Sequence, residues 1–308
     1  MGSKRIGLAR VEALLENLKR EINFEGSSLT GQSSAKIAAT TTAANTTAIK
    51  GITSTVSPYI QGTTQLYPLG TELVYGERKF RYAFMGGACT AGKLVQQAAH
   101  VAHHTNCLVI DADAGTLAAE SETDDGAATT YSHAIGSRSI CIDTAGDTDL
   151  TADQYAEGFL QVNDAQGEGQ LLKIRSHLSH DHGEDPSVTI QTYDPLVTAV
   201  VKNASQCTLI KNPYKDVVTA PVTETGAIVG ATVIDMSDDN YGWLCVSGPA
   251  SLLVSNANVI LGHRVVRSDA DAGGIMPDNG DDLTPQIGQV MGGGVVDTEY
   301  AMVWLNIN

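Results

Sequence analysis

"GFLQVNDAQGEGQLLKIRS", residues 158–176, decides the fold class. Two short apolar runs flank a polar, glycine-bearing segment at Asp164–Gly169, the pattern of a β-hairpin. Similar runs surround it: "CLVIDA" (107–112), "SICIDT" (139–144), "VTIQTY" (188–193) and "LVTAVVK" (196–202). Upstream, "LYPLGTELVYGERKFRYAFMGG" predicts a further hairpin. Downstream, "AIVGATVIDM", "GWLCVSG", "ASLLVS", "NVILG", "HRVVRS", "IGQVMG" and "EYAMVWLNI" read as strands parted by Gly, Asn and Asp turns. Short strands at near-regular spacing predict a mainly β protein built from antiparallel sandwich or barrel domains.

Two stretches depart from that texture. In residues 8–22, Leu8, Val11, Leu14, Leu15, Leu18 and Ile22 repeat at helical spacing, predicting an amphipathic helix within an N-terminal arm, 1–26. A lone helix of that length is marginal in water, so its stripe needs a surface or sister helices. "AGKLVQQAAHVAHHTN", residues 91–106, predicts one further short helix. The expected organisation is the arm, an Ala/Thr/Ser-rich tether at 27–65, a β-rich domain at 66–214 and a C-terminal barrel or sandwich at 215–308.

Composition narrows the function. The net charge is -16, with only 5% aromatic and 18% charged residues and 31 glycines. So acidic a chain repels phosphate backbones, which argues against a nucleic-acid partner. The exception is residues 1–22, where Lys4, Arg5, Arg10, Lys19 and Arg20 face only Glu12, Glu16 and Glu21. Five scattered cysteines without a CxxC pair suggest buried thiols rather than disulfides or structural zinc, in a chain made in a reducing cytoplasm. The start lacks a signal-peptide core and no run of 18 apolar residues occurs, so no membrane partner is expected.

Each candidate for chemistry fails on a named residue. "SHLSHDHGED" (176–185) gathers His177, His180, Asp181, His182, Glu184 and Asp185, much as metallo-β-lactamase-like hydrolases do. Ser179 stands where that motif needs its second histidine, and only His263 remains downstream, so a solvated loop is expected. "GGACTAGKL" (86–94) nearly spells a phosphate-binding loop through Gly87, Gly92 and Lys93, but Leu94 replaces the magnesium-holding hydroxyl. His100 and His104 share a face of the expected helix, with His103 beside them, yet lack the glutamate of a zinc protease. "SDADAGG" (268–274) and "PDNGDD" (277–282) offer at most a weak calcium site, without EF-hand spacing. No catalytic residue, metal ligand or cofactor site is therefore assigned.

"SKRIGLARVEALLENLKRE", "ELVYGERKFRYAFMGG", "GFLQVNDAQGEGQLLKIRSH", "YGWLCVSGPASLLV" and "GGGVVDTEYAMVWLNI" together resemble structural proteins of marine tailed bacteriophages. "LGHRVVRSDADAGGIMP" through "IGQVMGGG" is similar in style to capsid decoration (cement) proteins. The resemblance implies a non-enzymatic virion component on the capsid surface, a homotrimer bound to the major coat protein, with the arm residues Leu8, Val11, Leu14, Leu15, Leu18 and Ile22 as the contact. A coat or tail component is the alternative within that class. The alternative outside it is a glycan-binding or glycan-degrading protein, for which Tyr241 and Trp243 are candidates beside an expected core role.

Overall fold

The computed structural model describes residues 56–100, 104–110, 132–144, 149–181, 187–255, 258–278, 280, 285–293 and 296–307. The expected arm, its six stripe residues and the tether as far as residue 55 lie outside this set.

The chain first lays down β1 (Glu72–Tyr75), β2 (Arg78–Phe84) and β3 (Leu94–Gln96). It then forms β4 (Cys107–Val109), β5 (Ser132–His133), β6 (Ser139–Asp143), β7 (Phe159–Asp164), β8 (Leu171–His177), β9 (Ser187–Thr192), β10 (Val200–Val201) and β11 (Gln206–Ile210). It ends with β12 (Val218–Thr219), β13 (Ile228–Thr232), β14 (Tyr241–Leu253), β15 (Arg264–Arg267), β16 (Ile275–Pro277), β17 (Gly288–Gly293) and β18 (Tyr300–Asn306). Six middle strands close a barrel in the order β11-β4-β6-β9-β8-β7. The first three and the last seven form one ten-stranded sheet, β12-β3-β13-β14-β18-β17-β15-β16, with β2 on β14 and β1 on β2. The sheet thus draws strands from both sides of residue 214, and the barrel is an insertion between β3 and β12.

Alternation builds the barrel. Each of its six strands sends two apolar residues inward: Cys107 and Val109, Ile140 and Ile142, Leu160 and Val162, Leu172 and Ile174, Val188 and Ile190, Cys207 and Leu209, all buried. The registers set these against one another, as in Leu160 opposite both Leu172 and Leu209. The 158–176 stretch is the hairpin β7–β8, its turn using left-handed backbone at Ala165, Gly167 and Gly169.

The helix expected over 91–106 is not formed where the chain is described: residues 94–96 are β3, and 97–100 are irregular. Tertiary packing overrides the helical pattern. Leu94 enters the main sheet core and Val95 enters a second cluster on the other face, with Met85, Cys89 and Leu244. β12 and β13 bond to the two edges of β3, at Gln96–Val95 and Gln96–Leu94. The phosphate-loop-like segment therefore leads into a strand and has no helix N-terminus to offer an anion.

The sheet curls until its ends meet at Gly273, whose amide donates to the Ala220 carbonyl while its own carbonyl accepts from Leu94, both at 2.8 Å. Gly273 has φ +76°, and a Cβ there would lie 2.8 Å from the Lys93 Cβ. Only glycine fits this closure.

Candidate functional sites

Two places stand out. The first is the outer face of β18. Its inward residues Ala301, Val303 and Leu305 are fully buried, as alternation requires. The outward ones, which should be polar on a wetted sheet, are Tyr300, Met302 and Trp304, each more than 40% exposed. Register places Leu253, Ser251 and Pro249 of β14 beside them in that order, and Gln289 of β17 beside Trp304. Met291, at the bulge in β17, adds a further exposed apolar side chain.

A cleft of about 760 Å³ opens against the Tyr300 end of this stripe, between the β1–β2 turn, the 90–92 loop and Asp235. Its ring walls are held in place. Tyr300 lies so close to Gly92 that a Cβ on the glycine would sit 2.5 Å from the ring. Arg78 donates to the Tyr59 hydroxyl and stands over the rings of Tyr59, Tyr75 and Phe80 at 5.6, 5.9 and 5.6 Å. Asp235 accepts from the Ala91 amide at 2.8 Å. Tyr241 and Trp243, by contrast, belong to the core: Tyr82 stacks on Tyr241 at 5.9 Å, and Trp243 is buried against Tyr67 and Tyr82.

The second place is the histidine cluster at one end of the barrel, which is not the solvated loop expected. His177 and His180 are buried; His182, Glu184 and Asp185 lie outside the described residues, while Asp181 is exposed. A bulge in β8 explains the difference. Between Ile174 and Ser176 the strand advances two residues against one on β9, so His177, not Ser176, turns inward opposite Ile190. The imidazole Nε2 then accepts from the Tyr155 amide at 3.0 Å, and Nδ1 donates to the Leu178 carbonyl at 2.9 Å. That pattern fits only the neutral ring, and burial pushes its pKa below the usual histidine range.

His104 joins from the other side, its Nδ1 2.5 Å from the Tyr155 hydroxyl, whose pKa burial raises. His180 Nε2 bonds the Thr144 hydroxyl at 3.0 Å. His100 is not brought in: it is exposed and meets Thr105. Asp153 and Tyr155, which no sequence motif marks, complete the cluster from a turn 24 and 22 positions before His177. Among the described residues, no group of three or more His, Cys, Asp or Glu is placed to hold a metal. His263 is exposed on a separate turn. In "SDADAGG" the groups serve a turn: Asp271 accepts from Ser255 at 2.7 Å, and the Ser268 hydroxyl accepts from the Ala270 and Asp271 amides.

No protein-family model, curated protein or solved structure matches this chain.

Proposed function

We propose that this chain is a non-enzymatic structural protein of a tailed-bacteriophage virion, a capsid decoration protein made in the host cytoplasm and held on the major coat protein as a homotrimer. The observation that carries the reading is the outer stripe of β18. Tyr300, Met302 and Trp304 occupy the three positions that a solvent-facing strand gives to polar residues. Tyr, Trp and Met are the side chains that protein interfaces favour, and a rigid sheet presents them without ordering cost. A protein that works by assembly needs such a face.

The arm, residues 1–26 with its expected amphipathic helix at 8–22, supplies a second contact in this reading. Burying each of its leucines contributes roughly 1.5–3 kcal/mol before ordering costs, and linking it to a body held on the same lattice makes its binding intramolecular. Its basic residues favour an acidic coat surface.

The test is retention on intact particles. Met302→Asp with Trp304→Asp should leave the melting temperature within a few degrees of wild type and lower particle occupancy at least tenfold. Leu14→Asp with Leu18→Asp should weaken retention independently. Wild-type occupancy in both double variants would remove the reading. A glycan-binding role is the second reading, favoured by the half-exposed, fixed rings of Tyr59 and Tyr300 on the cleft. Binding on a glycan array that Tyr300→Ala abolishes, with particle occupancy unchanged, would put that reading in its place.

A further inference from the structure

We infer that His177 is an acid-sensitive latch: its neutral imidazole holds the 151–158 turn, and through Glu157 that turn fastens the barrel to the 65–69 segment before β1. The inference is independent of any assembly role.

The turn is an unusual one to keep. Asp153 and Glu157 both have left-handed backbone, φ +56° and +63°, which non-glycine residues adopt only when their surroundings hold them. His177 does much of the holding. Its backbone amide donates to the Asp153 carboxylate at 3.0 Å, and its carbonyl accepts the Asp153 amide at 3.0 Å. Its Nε2 is the acceptor for the Tyr155 amide, in a place where His177 and Tyr155 are both buried from water.

The far end of the turn reaches the sheet side of the molecule. One Glu157 carboxylate oxygen accepts from the Leu69 amide at 2.5 Å and the other from the Gln65 side chain at 2.7 Å. The Glu157 carbonyl accepts from Asn212 at 2.9 Å and from the Lys173 ammonium. Displacing the turn therefore withdraws the carboxylate from both partners at once.

Protonation works against this arrangement by geometry. An imidazolium carries hydrogen on both nitrogens, so its Nε2–H would point at the Tyr155 N–H, two donors with no acceptor between them. The buried amide loses its partner, and an unmade buried bond is costly. The groups facing the ring oppose one another. Asp153, from the turn, favours the proton; Lys215, whose ammonium bonds the Asp153 carbonyl at 2.5 Å, and His180 oppose it. Tyr155 packs its ring against His177 and bonds His104 behind it. Burial is the largest influence and keeps the folded ring neutral.

The sign follows. The unfolded ring takes its proton near pH 6.5, the folded ring only at lower pH. The latch is fully closed above about 6.5, and its hold declines as pH falls from there, until the folded ring titrates as well.

Hydrogen exchange of the full chain between pH 7.5 and 5, corrected for intrinsic exchange, tests this. Opening of 151–158 should rise below pH 6.5 at a slope approaching tenfold per pH unit, with 65–69 rising in step. His177→Gln places an amide oxygen near the Nε2 position and cannot titrate, so the slope should vanish. Glu157→Ala should expose 65–69 at every pH while 151–158 keeps its pH dependence. Should His177→Gln fail to fold, the ring ¹⁵N shifts of the wild type still decide: they should show the Nδ1–H form, neutral to below pH 6.5. A flat wild-type profile, a slope retained in His177→Gln, or an ordinary histidine pKa for His177 would overturn the inference.

Discussion

The barrel and the sheet use the same strand alternation and finish differently. In the barrel, ring closure leaves the six strands without a free edge, and the two inward residues of each strand fill one another's space. A polar intruder there, His177, has both ring nitrogens bonded. The ten-stranded sheet closes through loop contacts, at Gly273 and from Arg267 to the Pro221 and Val222 carbonyls, and keeps an apolar strip of β18 in water. The barrel buries the inward apolar side chains of all six strands, whereas the outer face of the sheet leaves Tyr300, Met302 and Trp304 uncovered.

Substitution should separate the two regions, most strongly in the barrel. Leu160→Ala removes a fully buried side chain facing Leu172 and Leu209, and should cost about 2–5 kcal/mol in urea unfolding. Met302→Ser, on the open face, should change stability by no more than about 0.5 kcal/mol. Equal losses would erase the distinction. Gly273→Val comes next: a positive φ and a Cβ 2.8 Å from Lys93 Cβ should lower stability by about 1–3 kcal/mol, read as a fall in Tm. A neutral result would mean that the sheet does not depend on this closure.

The smallest effect is on thiol chemistry. Cys89, Cys107, Cys207 and Cys245 are buried thiols, and burial pushes the Cys207 thiol up to about 12 and the Cys245 thiol up to about 11. At pH 8 a thiol reagent should modify Cys141, which is partly exposed, well before the other four. Fast modification of Cys207 would show that the barrel opens more readily than its packing implies.

Much of the β architecture was legible in the sequence because hairpins carry local signals. The β1–β2 and β7–β8 turns each have glycine where left-handed backbone is needed, at Gly76 and at Gly167 and Gly169. β3 was not legible: its place is fixed by β12 and β13, far downstream across the whole barrel, while its own sequence suits a helix. The single strand β14 looked like two because Gly248 and Pro249 interrupt it; Gly248 has φ +94°, and the ladder to β18 nevertheless continues across both. His177 was misplaced for a subtler reason. Counting by twos from Leu172 and Ile174 puts Ser176 inside, and only the bulge, a property of the pairing with β9, reverses that. The exposure of Trp304 was equally hidden, since a continuously apolar strand such as YAMVWL reads the same whether its second face is covered or bare.

Insertion of the barrel between β3 and β12 has a consequence for the order of folding. The Lys93 amide finds the Thr232 hydroxyl 139 positions away. Ordering so long a loop before any barrel contact exists is entropically unfavourable and slow. Barrel pairings such as β7–β8 and β6–β9 span far shorter separations, and the closing pair β4–β11, with Cys107 opposite Cys207, then brings the two ends of the insertion together. The expected sequence of events has the barrel forming as a staple, with the sheet zipping across β3 afterwards. Pulsed hydrogen exchange during refolding should find amides of β7, β8 and β9 protected before those of β3 and β13; simultaneous protection would mean that the two regions fold as one unit.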